Sequence, residues 1–208
     1  PQPDQMKEHT LPPVWNSYIT VDDVDAAMEK WGIAGGTAVM PALDVMSSGR
    51  MAIVVDPEGA MVALWQAGDH DGAEVFNQPG ALNWNELNSR DATAAREFYG
   101  KAVGWEFEQF EGSDPAYWLI KVPGKTQGDP LSADDYNGGI LTMDENWPAE
   151  VPAYWSVYFQ VADTDATVAR VTELGGNVVV PAMDSPAGRI AVVTDPQGGT
   201  FCVIAPPA

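Results

Sequence analysis

Residues 49–60 read GRMAIVVDPEGA and residues 188–199 read GRIAVVTDPQGG, nearly the same phrase 139 positions apart. This internal repeat constrains the fold more than any other feature of the chain. Met51–Val55 and Ile190–Thr194 are short apolar and β-branched runs that suit strands. Each ends in Asp-Pro-x-Gly, which sets Asp, Pro and Gly at positions i, i+1 and i+3 of a type I turn. The apolar runs that follow, Met61–Trp65 and Thr200–Ile204, make both copies hairpins.

The repeat extends upstream. Residues 14–46 laid on 154–186 share 12 identities in 33, among them Trp15/Trp155, Tyr18/Tyr158, Asp23/Asp163, Gly35/Gly175 and Pro41/Pro181. Residues 49–65 laid on 188–204 add 7 in 17, a level only duplication explains. Each copy opens with an alternating strand, Trp15–Val21 or Trp155–Val161. Asp23 or Asp163 then caps a short helix that stops at a Gly-Gly pair. A strand near Val39 or Val179 and the hairpin complete a βαβββ unit. A third stretch from Ala81 begins alike, with a strand at Asn83–Leu87, Asp91 as helix cap and an apolar helical face of Ala94, Ala95, Phe98, Tyr99 and Ala102. Gly104 ends that helix, and strands are expected near Trp105–Phe110, Tyr117–Val122 and Gly138–Met143. The chain therefore reads as an α+β protein of three βαβββ units, at 11–67, 81–145 and 153–205, joined by linkers at 72–80 and 144–152.

Composition narrows the function classes. With 45% hydrophobic residues and eight tryptophans, 208 residues can bury real cores. A net charge of −20 excludes nucleic acid and anionic membranes as partners, and no apolar run reaches the roughly 18 residues of a membrane helix. The single cysteine, Cys202, rules out an intrachain disulfide framework and fits a cytoplasmic location. The sequence starts at Pro1 rather than Met, so its beginning says nothing of a targeting signal.

Trp84-Asn85-Glu86-Leu87, Asp91, Phe98-Tyr99, Gly104-Trp105 and the two Asp-Pro-x-Gly turns resemble the vicinal oxygen chelate superfamily. That group holds glyoxalase I, extradiol dioxygenases, and bleomycin- and fosfomycin-resistance proteins. Within it the chain is similar to tandem glyoxalase-like proteins of actinobacterial type. The resemblance implies that units pair into curved mixed sheets around a cavity. Residues 1–78 would hold a linker and the second half of an N-terminal domain, and residues 79–208 a complete two-unit domain. It also implies a further unit ahead of residue 1; without it, the exposed edge of unit 11–67 would pair in a homodimer.

In the metal-dependent members, a His or Gln on a unit's first strand and a Glu on its last strand bind a divalent metal. The first-strand ligand lies seven residues before the capping Asp, which gives Asn16, Trp84 and Ser156 here. The last-strand Glu lies four residues after the turn Gly, which gives Ala63 and Cys202, and Gly139–Met143 offers no carboxylate. The two histidines, His9 and His70, fall in linkers. No metal site and no cofactor are expected; a different ligand register would restore a metal-dependent glyoxalase or dioxygenase.

Strand alternation puts Trp84, Glu86 and Asn88 on one face, with Ser156, Tyr158 and Gln160 on the face of their neighbour. By resemblance this face lines the cavity, joined by Thr200, Cys202 and Ile204. Trp84 and Tyr158 either stack on a planar ligand or fill core. Glu86 is the candidate catalytic residue, since a carboxylate in an apolar bowl is a general base or a hydrogen-bond anchor; otherwise it is solvated or paired. Cys202 has no histidine nearby to activate it. Arg50 and Arg189, equivalent in the repeat, can reach an anionic ligand or pair with Asp44 and Asp184. The leading expectation is a metal-free binding protein for a small aromatic or amphipathic molecule. A metal-independent lyase or isomerase using Glu86 is the alternative, and an interaction or regulatory subunit a third reading.

Overall fold

The computed structural model describes residues 13–121 and 136–207. The leading segment with His9 and the strand end expected at Val122 lie outside these residues. In chain order the elements are β1 (Tyr18–Thr20), α1 (Val24–Ala34), β2 (Thr37–Ala38), β3 (Leu43–Val45), β4 (Gly49–Val55), β5 (Met61–Ala67), β6 (Leu82–Ser89), α2 (Ala92–Val103), β7 (Phe107–Phe110), β8 (Tyr117–Lys121), β9 (Tyr136–Thr142), β10 (Tyr154–Gln160), α3 (Thr164–Glu173), β11 (Asn177–Ser185), β12 (Gly188–Thr194) and β13 (Thr200–Ala205). The class is α+β, as the alternation and turn signals imply.

The elements form two curved mixed sheets. The smaller runs β1-β5-β4-β2, with β3 also on β4. The larger runs β11-β12-β13-β10-β6-β9-β8-β7. In each βαβββ stretch the first strand pairs in parallel with the last: β1 with β5, β6 with β9, β10 with β13. The halves of the larger sheet join through antiparallel β6 and β10, with Glu86 opposite Ser156 and Trp84 opposite Tyr158.

The helix signals act where the sequence puts them. Asp23, Asp91 and Asp163 each accept backbone N–H groups from the first turn of their helix, and Gly35 and Gly104 close α1 and α2 in left-handed conformations. Two expectations need correction. The strand Trp15–Val21 is only Tyr18–Thr20: the pairing with β5 fades at its ends into single backbone bonds, Ala63 N–H to the Ser17 carbonyl and Val21 N–H to the Trp65 carbonyl. The buried stripe of α2 is Ala92, Ala95, Phe98, Tyr99 and Ala102, with Ala94 exposed, because 92, 95, 99 and 102 share one face at helical period. Near Pro41 the second strand of the first unit splits into β2 and β3, and near Pro181 β11 shifts register, since proline gives the ladder no N–H.

One core joins the first unit to the larger sheet. Trp31 of α1 is 1% exposed, donates its indole N–H to the Val55 carbonyl at 2.8 Å and meets Phe98 edge-on at 4.8 Å. A Cβ on Gly36 would lie 2.2 Å from that indole nitrogen, which explains a glycine there. Leu64, Leu87, Ile140 and Trp155 belong to the same cluster. α3 covers a smaller core of Ala191, Val193 and Val203.

Two carboxylates of the first hairpin complete the joint. Tyr99 on α2 donates to Asp56 Oδ2 at 3.1 Å and accepts from the Trp155 indole at 2.9 Å, linking all three units. Glu58 receives the backbone N–H groups of Arg90 and Asp91 at 3.0 and 3.1 Å and the Ser89 hydroxyl. It thus adds a negative charge at the start of α2, where the helix dipole favours one.

Candidate functional site

The face of the larger sheet turned away from this core is a bowl, and its centre is polar. Glu86, on β6, is 8% exposed. Its Oε1 accepts from the Tyr158 hydroxyl at 2.9 Å, and its Oε2 from the Tyr117 hydroxyl at 3.0 Å. Tyr117 in turn accepts from the Trp84 indole N–H at 2.8 Å. Across the central strand pair, Asn88 donates to Ser156 Oγ at 3.1 Å. Cys202 on β13 lies opposite Tyr158, with Tyr158 and Ser156 in hydrogen-bonding reach of its thiol.

Neighbouring strands make this arrangement possible. Alternation puts 84, 86 and 88 on one face, and the pairing of β6 with β10 brings 156 and 158 beside them. Gly139, opposite Glu86 on β9, leaves room for Tyr117: a Cβ there would meet the tyrosine oxygen at 2.2 Å. Tyr117 is the central residue that sequence reasoning missed. It stood on an expected strand, but its position beside Glu86 depends on the order β6-β9-β8, which no local pattern encodes.

Burial raises the Glu86 carboxyl above the ordinary range, against the opposing pull of the two tyrosine hydroxyls. Burial, with the Glu86 charge alongside, holds Tyr117 and Tyr158 well above the usual phenol value. The Cys202 thiol is pushed up to about 12, chiefly by burial and then by Glu86, so it is no nucleophile near neutrality.

The remaining candidates lie further out. Gln160 accepts from Asn83 at 3.4 Å, and Thr200 is exposed at the start of β13. Arg189 is not among the residues gathered round Glu86. It forks to Asp165 and Asp184 at 2.6 and 2.9 Å, as Arg50 forks to Asp25 and Asp44 at 2.9 and 2.8 Å. Asp184 and Asp44 are the partners the repeat suggested, and Asp165 and Asp25 come from helix first turns.

The metal-ligand positions do not fit a divalent ion. The Trp84 indole donates a hydrogen and offers no lone pair, Ser156 is a neutral hydroxyl, and Cys202 offers a single sulfur. Among the described residues, no three His, Cys, Asp or Glu side chains converge to hold a metal. No helix there is long and apolar enough to cross a membrane.

A sheet of paired βαβββ units around a bowl defines a glyoxalase-like protein, and comparison with known proteins agrees. Residues 85–204 match the glyoxalase-like domain, and the chain belongs to that family. CFP32 of Mycobacterium tuberculosis, which bears the name of a provisional glyoxylase, is 41% identical over 94% of this chain and 71% of its own length. DnrV of Streptomyces peucetius, named as an anthracycline biosynthesis protein, is 37% identical over 95% of this chain and 67% of its own. Two solved structures share the fold. The Mn(II)-bound glyoxalase from Novosphingobium aromaticivorans matches with a TM-score of 0.57 and 14% identity, over 90% of this chain and 61% of that one. The dioxygenase LapB from Pseudomonas sp. KL28 matches with a TM-score of 0.55 and 14% identity, over 92% and 71%. The chain thus spans about three fifths of that glyoxalase.

Proposed function

We propose that this glyoxalase-like chain binds a small aromatic or amphipathic molecule in the bowl of its larger sheet, without the metal of the metal-dependent relatives. The chain Trp84–Tyr117–Glu86–Tyr158 carries the reading. It fills the middle of the bowl with rings and a few fixed polar atoms, the make-up of a small-molecule site. The name of DnrV, an anthracycline biosynthesis protein, supports an aromatic ligand. Titration of the protein with a broad panel of aromatic compounds, followed by tryptophan fluorescence, tests the reading. At least one compound should quench saturably, and Trp84→Ala should weaken it. A panel with no saturable response overturns the proposal.

A second reading rests on Glu86 itself. A buried carboxyl with a raised pKa holds and passes a proton more readily than an ordinary one, and the two tyrosines fix both of its oxygens. In this reading the chain is a metal-independent lyase or isomerase whose base is Glu86. For each bound compound, deuterium uptake from D2O at an acidic C–H would report the activity. Uptake that persists unchanged in Glu86→Gln sinks this version.

A further inference from the structure

The segment Pro13–Asn16, ahead of β1, runs past the starts of β10 and β13 and encloses with them a cavity of about 210 Å³. Trp15, Asn16, Tyr154, Ser156, Thr200 and Cys202 are among the residues that line it. The Trp15 ring is held edge-on by Phe159 at 5.0 Å and Phe201 at 5.9 Å. Ser156 and Cys202 also belong to the polar set around Glu86, so the cavity is an annex of the bowl. Its wall comes from the first unit and its floor from the third.

No charged residue lines this cavity among the described residues. All five arginines are engaged elsewhere. Arg50, Arg170 and Arg189 pair with carboxylates, Arg90 with the carbonyls of Pro148 and Val151, and Arg96 lies over the Trp118 ring. An anion entering would lose water with no cation to replace it, against the field of a chain of net charge −20. A neutral ring loses nothing of the kind, and a cation, which also gives up water, is repaid by the acidic field and by the aromatic side chains of the lining. As to size, a cavity of about 150 Å³ admits benzene, so this one takes one or two fused rings.

We infer that this annex selects uncharged or cationic aromatic molecules of one or two rings and rejects carboxylates and phosphates. The inference rests on the small-molecule reading above and names its ligand class.

Calorimetric titration of the full chain with three probes of matched ring position tests it: naphthol, naphthylmethylammonium and naphthoate. Naphthol and the ammonium should bind at least about tenfold tighter than naphthoate, a gap of about 1.4 kcal/mol. Added salt should weaken only the ammonium. Ser156→Leu, which fills the floor, should abolish binding. Trp15→Ala, a half-exposed position that the fold tolerates more readily, should weaken it about fivefold or more. Naphthoate binding as tightly as naphthol overturns this inference and leaves the small-molecule reading standing. Saturable binding that neither variant alters also overturns it, because the site then lies elsewhere. Binding of none of the three overturns both.

Discussion

Tyr158 and Glu86 stand on adjacent antiparallel strands, and the tyrosine hydroxyl donates to Glu86 Oε1 at 2.9 Å. The pair stays buried because each group satisfies the other, yet the carboxylate still loses more to burial than the two tyrosines return. Its pKa is therefore higher folded than unfolded, so in the interval between the two values the folded state binds more protons. Stability falls as pH rises from about 4.5 through the folded value, and the loss is complete above it. Glu86→Gln should flatten that part of the stability curve relative to the parent protein. Urea unfolding at a series of pH values checks this; parallel curves would show that Glu86 does not titrate there.

Tyr99 ties Asp56 to Trp155 through one hydroxyl. Tyr99→Phe keeps the ring packing and strands both partners. We expect a loss of about 1–3 kcal/mol in urea unfolding. A change within error would mean the relay contributes nothing net.

Glu58 caps α2 from a distance of more than thirty residues along the chain. Glu58→Ala should cost about 1 kcal/mol, in the range of ordinary N-cap losses. Gln197, the matching turn residue of the third unit, is exposed and bonds in the turn through its backbone N–H to Asp195. Gln197→Ala should leave the unfolding midpoint unchanged, and comparison of the two variants isolates the cap from the turn.

Cys202 should resist thiol reagents in the folded protein. With its pKa near 12 and its side chain buried, labelling with a maleimide near neutral pH should be slow and should accelerate sharply on addition of denaturant. Rapid labelling of the native chain would mean that the bowl opens far enough to expose β13.

Local chemistry was strong enough to write much of this fold into the chain. Asp23, Asp91 and Asp163 cap their helices because a short acceptor reaches the first-turn N–H groups wherever the helix packs. The Asp-Pro-x-Gly turns likewise carry their own geometry, and period two told which residues of β6, β10 and β13 share a face. The Arg50 and Arg189 forks were half legible: the repeat paired them with Asp44 and Asp184, while Asp25 and Asp165 entered through helix packing.

What only the tertiary structure decided is which strands are neighbours. Tyr117 reaches Glu86 because β8 lies on β9 and β9 on β6. Tyr99 meets Asp56, and Trp15 and Ser156 come to line one cavity, because the first unit folds against the other two. Alternation and capping act within a few residues and so survive in the sequence as patterns. The site instead depends on contacts between segments far apart in the chain, made by long-range packing that leaves no periodic trace.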